Sequence, residues 1–412
     1  MIKSKFNITA PPSKSFEQRL LAASLLSQKE CIISNVGNSE DIAATREIVK
    51  SLGTEIEFIS PEKYKIIPQP KDIEKIFLDC RESGFCARFF PAVAMLFTKR
   101  FTITGKGSLL QRPIVKSFDV LAKKSCIIES NGSFLPAVFK NCILLPDVYL
   151  IDGSHTSQFT SGLLMALPVL KGNSMIISKN TVSIDYLLLT IKVMNLFGVK
   201  IYFSSIGKDY YFDVPGDQKY LPGEYTVEGD WSSVATLIVG AAIISEICFY
   251  GLNFYSLQAD KRILDVLKVA NVNFIIENQN LRVSKSEIKS FEFDATHCPD
   301  LIPAISILAV FGDSVSKIKG AKRLIHKESN RAEALKNELS KVGVNVSLED
   351  DFLIIEANKK LKSAMLDSYN DHRLAMAFSI LEIFTQGKIS VNDKNCVKKS
   401  YPNYFEDLKK LM

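Results

Sequence analysis

A repeat of about 70 residues constrains the fold of this 412-residue chain more than any other feature of its sequence. Six segments are apolar almost all round, which is typical of helices enclosed by other elements. Each follows a short polar stretch suited to a helix start. The six segments are Phe16–Leu26, Phe85–Phe97, Phe159–Leu170, Val234–Ile244, Leu301–Phe311 and Leu374–Phe384. The sequence therefore predicts six α/β units with mixed sheets, each containing one buried helix.

A second marker recurs with the same spacing. It is a helix end followed by a strand, where Gly or Asn can adopt the left-handed cap conformation. The copies are Leu52-Gly53, Lys124-Ser125, Phe197-Gly198, Ala270-Asn271 and Val342-Gly343. Three units per domain is the natural division. The sixth unit ends without a closing strand, so we predict that Phe6–Thr9 supplies it and brings both chain ends into one domain.

Composition narrows the possible classes of function. The net charge of +6 is modest, and no long basic tract indicates nucleic-acid binding. The longest apolar stretches, such as Leu301–Phe311, fall short of the roughly 20 residues that span a bilayer, and no secretory signal is visible. The eight cysteines form no C-x-x-C pair, so we expect buried thiols, no metal site and no disulfide. These features predict a soluble cytoplasmic protein.

The polar stretches before the apolar helices share a physical property. Each helix start exposes free N–H groups and the positive end of the helix dipole, which favour phosphate or carboxylate. Cationic side chains occur at the same places, at Lys14, Arg19, Arg88 and Arg373. Ser15 and Arg19 are four residues apart and share a helix face. Taken singly, each of these helix starts is explained by a helix-capping residue next to a solvent-exposed Lys or Arg. Together they predict a site for a small, multiply charged anion.

Further cations occur outside these helix starts. Arg112 lies in a turn-like segment, and Lys399 precedes another predicted helix. Lys327 and Arg331 are four residues apart with Glu328 beside them. Their alternative interpretation is an exposed helix with surface salt bridges, which contribute little to stability. We add these residues to the candidates for anion binding.

Several motifs are spread along nearly the whole chain. The most specific is Tyr369–Ala377 (YNDHRLAMA), with Pro12–Ser15 (PSKS) and Tyr401–Leu408 (YPNYFEDL) near the two ends. Glu228–Ser233 and Ser256–Asp260 add weaker support. Together these motifs resemble the 5-enolpyruvylshikimate-3-phosphate synthase family. The resemblance implies an α/β, two-domain inverse α/β barrel-like (alpha-beta prism) fold of six βαβαββ repeats, three per domain. It implies an N-terminal lobe of residues 14–227 and a C-terminal lobe of residues 1–13 and 228–412, which contains both chain ends.

The resemblance also implies an activity and a set of site residues. The family transfers the enolpyruvyl group of phosphoenolpyruvate to the 5-hydroxyl of shikimate 3-phosphate, without metal or organic cofactor. The expected catalytic residues are Lys14, Asp300 and Glu328. The expected shikimate 3-phosphate contacts are Lys14, Ser15, Arg19, Thr156, Ser157, Gln158, Ser183, Tyr186, Asp300 and Lys327. The expected phosphoenolpyruvate contacts are Lys14, Gly84, Arg88, Arg112, Gln158, Glu328, Arg331, Arg373 and Lys399.

A mechanism follows as a hypothesis from this resemblance. The hydroxyl adds to C2 of phosphoenolpyruvate while C3 is protonated, and phosphate is then eliminated. Asp300 is expected to accept the hydroxyl proton and Glu328 to serve the methylene carbon, with Lys14 able to share either task. The alternative for Asp300 is a simple helix cap for Leu301–Phe311, which would affect stability rather than turnover.

This sequence departs from the family pattern at three positions, and two alternative functions stay open. Phe85 stands where many members have Thr, and Glu82 and Arg323 stand where some members have Asn. The sister transferase that acts on UDP-N-acetylglucosamine characteristically uses a loop cysteine, and Cys80, Cys86 and Cys126 here lack the setting of that loop. The other rival is a non-catalytic anion-binding protein on the same fold. A monomer is the default expectation, with small anionic substrates and no nucleic-acid or membrane partner.

Overall fold

Each of the six apolar segments contains an α-helix whose side chains are mostly buried. The structure is a computed structural model, and it describes residues 6–69, 76–123, 126–325 and 327–412. The chain divides into two units. The central unit is Lys14–Val227, and the terminal unit combines Met1–Ser13 with Glu228–Met412. The helix end predicted at Lys124-Ser125 lies outside the described residues.

The described chain starts with strand β1 (Phe6–Thr9) and then forms the central unit. In chain order, the helices and strands of this unit are α1 (Lys14–Ser27), β2 (Cys31–Ser34), α2 (Glu40–Ser51), β3 (Thr54–Ser60), β4 (Lys63–Pro68), β5 (Ile76–Asp79), α3 (Gly84–Ala94), β6 (Phe101–Thr104), α4 (Asp119–Ala122), β7 (Ile127–Asn131), β8 (Phe134–Lys140), β9 (Val148–Asp152), α5 (Gln158–Ala166), β10 (Ser174–Lys179), α6 (Ile184–Leu196), β11 (Tyr202–Ile206), β12 (Asp209–Val214) and β13 (Glu224–Thr226). Helices α3 and α5 pack against each other, and α1 packs against α2 and α6.

The terminal unit continues the same pattern. Its remaining elements are α7 (Trp231–Ile243), β14 (Ile247–Tyr250), α8 (Ile263–Val269), β15 (Phe274–Glu277), β16 (Asn280–Val283), β17 (Glu292–Asp294), α9 (Ile302–Val310), β18 (Val315–Lys319), α10 (Arg331–Lys341), β19 (Val346–Glu349), β20 (Phe352–Glu356), β21 (Ala364–Leu366), α11 (His372–Phe384), β22 (Ile389–Val391) and α12 (Tyr404–Leu408). The apolar helices α7, α9 and α11 pack against one another. They can be apolar all round because other elements enclose them.

The sheets confirm the repeat. Within the described residues, five four-stranded sheets each combine a parallel pair with an antiparallel hairpin, and the sixth repeat contributes the parallel pair β21–β22. The strand orders of the five larger sheets are β13-β2-β4-β3, β5-β6-β8-β7, β9-β10-β12-β11, β1-β14-β16-β15 and β17-β18-β20-β19. The fold is therefore the predicted α/β arrangement of repeats built around buried helices.

The prediction that β1 closes the sixth repeat is wrong. β1 instead pairs in parallel with β14 of the fourth repeat, with Phe6 opposite Ile247. The fourth repeat starts at the return of the chain into the terminal unit and lacks a preceding strand of its own, so β1 supplies it. The first repeat is completed in the same way, because Glu224 of β13 lies opposite Ile32 of β2. The first and fourth repeats thus take their leading strands from distant parts of the chain.

The expectation that no disulfide forms is also wrong. Cys126 and Cys142 form a disulfide, with their Cα atoms 4.1 Å apart. The hairpin β7–β8 brings them together, since Ile127 lies opposite Lys140. Their separation of 16 residues gives no C-x-x-C signal in the sequence. The other six cysteines are buried and take no part in this disulfide.

The predicted helix ends adopt the expected backbone conformation. Gly53, Gly198, Asn271 and Gly343 all have positive φ, between 56° and 103°. Glycine adopts this region without steric cost, and asparagine tolerates it better than most residues. Among the described residues, none of the helices combines the length and apolar character needed to cross a bilayer.

Candidate active site

Lys14 is the first residue of α1 and pairs with a carboxylate from the next helix. Its Nζ lies 2.7 Å from Oδ2 of Asp41, in the first turn of α2. Sequence reasoning missed Asp41, because the partner is 27 residues away and only the packing of α1 on α2 brings it close. The pair holds the lysine ammonium in place at the helix start.

Arg19 is buried between α1 and α6. Its Nε donates to Thr190 Oγ1 (2.8 Å), and its two terminal nitrogens donate to the backbone carbonyls of Ser15 (2.7 Å) and Tyr186 (3.2 Å). Burial lowers the pKa of Arg19 to about 10, so it remains a cation at neutral pH. The guanidinium also lies 5.0 Å above the centre of the Phe85 ring. The structure therefore brings Ser15, Arg19 and Tyr186 together. Helix spacing predicts the contact of the first two, and the family resemblance implies that all three contact one substrate.

A second group of cations surrounds Gly84 at the start of α3. Arg88 Nη1 lies 3.2 Å from Oε1 of Gln158 and 3.5 Å from the Gly84 carbonyl. Arg112 donates to the hydroxyl of Ser108 at 2.9 Å. Burial, and then the charge of Arg112, lowers the pKa of Arg88 to about 10. The Nε atoms of both arginines are buried without a hydrogen-bond partner in the described part of the chain. Two neighbouring half-buried cations of this kind are suited to an anion.

The other predicted contacts of the central unit lie at helix starts. Thr156 Oγ1 accepts the N–H of Gln158 at 3.2 Å, and Ser157 occupies the cap position of α5. Ser183 occupies the cap position of α6 with φ of 57°, a conformation that costs a non-glycine residue roughly 1 kcal/mol or more. Strain of this order is typical of positions where the backbone is held for binding.

Asp300 is the centre of the charged group in the terminal unit. Its Oδ1 lies 2.8 Å from Arg331 Nη1 and 3.1 Å from Lys327 Nζ. Burial opposes ionisation, but the charges of Lys327, Arg331 and Arg373 hold the pKa of Asp300 well below its usual range. Helix α9 begins at Ile302 without a side-chain cap. The carboxylate of Asp300 therefore pairs with Lys327 and Arg331 and does not cap α9, so the cap interpretation is wrong.

Arg331 is held on its other side by Asp371. Its Nε and Nη2 lie 2.7 and 3.1 Å from the two carboxylate oxygens of Asp371, a bidentate pair that is almost fully buried. Asp371 also caps α11 by accepting the N–H of Arg373 at 2.9 Å. Arg331 is thus one rigid cation between two carboxylates and not part of an exposed salt-bridged helix. This use of Asp371 was not predicted.

The carboxylate of Glu328 lies between His372 and Lys399. Its Oε2 is 2.9 Å from His372 Nδ1 and 3.8 Å from Lys399 Nζ. Lys399 also donates to the backbone carbonyl of Asn370 at 2.8 Å. The carboxylate therefore lies where a proton can pass to or from an imidazole, which is the requirement for acid–base work.

Glu328, Asp371 and His372 also offer donor atoms within 4.8 Å of one another, the spacing of a metal site. Both oxygens of Asp371 are engaged by Arg331, and Lys399 lies next to Glu328. A divalent cation would face these positive charges at short range. The arrangement suits ion pairing better than metal binding.

Comparisons with known proteins agree with this fold. The sequence profile of EPSP synthase (3-phosphoshikimate 1-carboxyvinyltransferase) matches residues 3–408. The chain is 35% identical over 416 residues to the 3-phosphoshikimate 1-carboxyvinyltransferase of Clostridium acetobutylicum, covering 99% of this chain and 95% of that protein. It is 35% identical over 423 residues to the enzyme of the same name from Clostridium novyi, covering 100% and 96%.

Solved structures show the same fold at lower identity. The EPSP synthase of Acinetobacter baumannii superimposes with a TM-score of 0.80 at 20% identity, covering 99% of this chain and 96% of that one. The enolpyruvyl transferase NikO of Streptomyces tendae superimposes with a TM-score of 0.75 at 13% identity, covering 99% and 95%. At these identities the likeness concerns the fold alone.

Proposed function

This chain belongs to the EPSP synthase (3-phosphoshikimate 1-carboxyvinyltransferase) family, and we propose how its residues divide the family's reaction. The reaction transfers the enolpyruvyl group of phosphoenolpyruvate to the 5-hydroxyl of shikimate 3-phosphate and releases phosphate. It is a step of the shikimate pathway to chorismate and the aromatic amino acids. The observation that carries the proposal is the family match over residues 3–408, together with the half-buried cations Arg88 and Arg112 beside Gly84.

In the central unit, Arg88 and Arg112 bind phosphoenolpyruvate next to Gly84, because their charges face a shared position that suits an anion. Gln158 orients Arg88. Lys14, held by Asp41, contacts both substrates. The shikimate 3-phosphate contacts of this unit are Lys14, Ser15, Arg19, Thr156, Ser157, Gln158, Ser183 and Tyr186.

In the terminal unit, Asp300 accepts the proton of the reacting hydroxyl. The cations around it keep the carboxylate ionised at neutral pH. Anionic substrate groups that bind Lys327, Arg331 and Arg373 offset those charges and make Asp300 a better base in the complex. General base help of this kind contributes about 10²–10⁴-fold to the rate.

Glu328 acts on phosphoenolpyruvate, at the step in which its methylene carbon C3 is protonated. Protonation of the methylene carbon places positive charge on C2, which a nearby carboxylate stabilises. His372 is hydrogen-bonded to Glu328, and this pair can supply the proton to C3 and take a proton back from C3 when phosphate leaves. Lys399, Arg331 and Arg373 bind the negative charges of phosphoenolpyruvate. We also propose that the protein acts in the cytoplasm, which suits water-soluble anionic substrates, and that it is a monomer, the default expectation from its sequence.

The function is tested by phosphate release from phosphoenolpyruvate with purified protein and alternative acceptors. Release with shikimate 3-phosphate, and not with UDP-N-acetylglucosamine, is the expected result. Release only with the sugar nucleotide would reassign the substrate on the same fold. Substrate binding by folded protein without release from either acceptor would support the non-catalytic rival.

A further inference from the structure

Two segments of the terminal unit are bonded side by side at the start of α7. Residues Ser256–Asp260 contact residues Glu228–Ser232 through their side chains. Gln258 donates to one backbone carbonyl of the second segment at 2.8 Å and accepts from one of its N–H groups at 3.0 Å. The carboxylate of Asp260 accepts the hydroxyl of Ser232. These bonds fix the first turn of α7.

Ser232 in turn holds Arg373. The Nη1 of Arg373 donates to the backbone carbonyl of Ser232. Among the described residues, this is the one hydrogen bond that the Arg373 guanidinium makes, and no carboxylate lies within ion-pairing distance of it. Arg331 differs, because Asp300 and Asp371 both pair with it directly. The orientation of Arg373 therefore depends on Ser232.

Asp260 provides the nearby negative charge. It is fully buried, and its Oδ1 has no hydrogen-bond partner within the described part of the chain. Burial, and then the charge of Asp300, raises the pKa of Asp260 to about 7, while Arg373 favours its ionised form. A buried carboxylate with one oxygen that accepts no hydrogen bond lowers the stability of the fold. A neutral serine or asparagine could accept the Ser232 hydroxyl without the cost of burying a charge. An acidic residue at this position is explained if its charge acts on Arg373.

We propose that Asp260 and Ser232 form a positioning pair that orients Arg373 for phosphoenolpyruvate. The inference rests on the proposed function, in which Arg373 binds that substrate. The backbone carbonyl of Ser232 accepts a hydrogen bond from the Arg373 guanidinium and so orients it. The carboxylate of Asp260 accepts the Ser232 hydroxyl and so holds Ser232 in place. Neither side chain has to touch the substrate.

The test is the steady-state kinetics of Asp260→Asn and Ser232→Ala, with each substrate varied in turn. Asparagine keeps the size and can still accept the Ser232 hydroxyl, but it removes the charge. We expect the KM for phosphoenolpyruvate to rise on the order of tenfold in Asp260→Asn, with the KM for shikimate 3-phosphate changed by less than about twofold. Ser232→Ala keeps the carbonyl, so its effect on the same KM should be smaller.

The coupling to Arg373 is tested by adding Asp260→Asn to Arg373→Gln. If Asp260 acts through Arg373, the second substitution should raise the phosphoenolpyruvate KM no further. The matched control is Glu246→Gln, which removes the charge of another carboxylate that accepts a serine hydroxyl, from Ser284 at 2.8 Å. This control should leave both KM values unchanged.

Three outcomes would overturn the inference. The first is an unchanged phosphoenolpyruvate KM in folded Asp260→Asn, checked by thermal melting, and the second is an equal effect of Asp260→Asn in the Arg373→Gln background. The third is an equal rise of both KM values in Ser232→Ala, which would indicate general damage to α7. Failure of the proposed function is distinguishable, because wild-type protein itself would then show no turnover with shikimate 3-phosphate.

Discussion

Arg88 and Arg112 direct their Nη1 atoms to one position, and each atom lies 3.1 Å from where a Cβ on Gly84 would be. That distance is tighter than ordinary van der Waals contact. A glycine at the start of α3 therefore leaves the position between the two guanidinium groups open. The φ of Gly84 is not positive, so its role is spatial and not conformational.

Gly84→Ala should weaken phosphoenolpyruvate binding without destabilising the fold. The added methyl group would displace both guanidinium groups, and we expect the KM for phosphoenolpyruvate to rise about tenfold. Alanine is favoured over glycine within helices, so the melting temperature should be unchanged or higher. Steady-state kinetics and thermal melting measure the two effects. A normal phosphoenolpyruvate KM would show that the arginines do not bind this substrate at Gly84.

Phe85→Leu should weaken shikimate 3-phosphate binding. The Phe85 ring lies under the guanidinium of Arg19, and cation–π contacts of buried groups contribute about 1–2 kcal/mol. Leucine keeps an apolar side chain but removes the ring face. We expect the KM for shikimate 3-phosphate to rise about fivefold, with little change for phosphoenolpyruvate. Phe85→Tyr keeps a ring at the same place and is the matched control. Equal kinetics for Phe85→Leu and wild type would contradict this role.

Asp371→Asn should destabilise the protein. Asparagine caps helices as well as aspartate does, so the start of α11 is preserved. Of the two carboxylates that pair with Arg331 in the described part of the chain, the substitution leaves Asp300. Breaking a buried ion pair costs about 3 kcal/mol or more, and urea unfolding should show a loss of this order. A loss below about 1 kcal/mol would indicate that water or Asp300 compensates fully.

Glu17 should make the stability of the protein depend on pH. Its carboxylate is buried in α1 and accepts the N–H of Gly37 (2.7 Å) and the hydroxyl of Tyr64 (3.0 Å). Burial raises the pKa of Glu17 from 4.5 to about 7, against the effect of these bonds. Between these two values the unfolded chain releases the proton while the folded chain keeps it. The free energy of unfolding should therefore fall by about 3 kcal/mol as the pH rises from about 4.5 to 7.

Glu17→Gln isolates this contribution. Glutamine cannot release a proton, so the fall in stability between pH 4.5 and 7 should be smaller than in wild type by about 3 kcal/mol. Urea unfolding at several pH values measures both curves. Parallel curves for the two proteins would contradict a raised pKa for Glu17.

The fold could be predicted from the sequence where the signal is local. The apolar segment Leu374–Phe384 and the helix end at Gly343 each mark an element within a few residues, and both features appear in the structure. The pairing of β1 with β14 could not be predicted in this way. The two strands are more than 200 residues apart, and strand pairing over such a distance leaves no periodic pattern in the sequence.

The candidate site shows the same limit. Ser15 and Arg19 are four residues apart, so helix geometry alone predicted their contact. Asp41 and Asp371 were not assigned a role, because each pairs with a cation from another element. Spacing along the chain can find the cations at helix starts. It cannot find the buried carboxylates that orient them.

The turnover of Asp300→Asn at saturating concentrations of both substrates tests the proposed mechanism most directly. Asparagine keeps the size and a hydrogen-bond acceptor for Lys327 and Arg331, but it cannot accept the hydroxyl proton. The matched control is Asp294→Asn, which removes an exposed carboxylate paired with Lys319 at 2.9 Å in the same unit. We predict that kcat falls by about 10²–10⁴-fold in Asp300→Asn and stays normal in the control. Near-normal kcat in folded Asp300→Asn would contradict the assignment of Asp300 as the base.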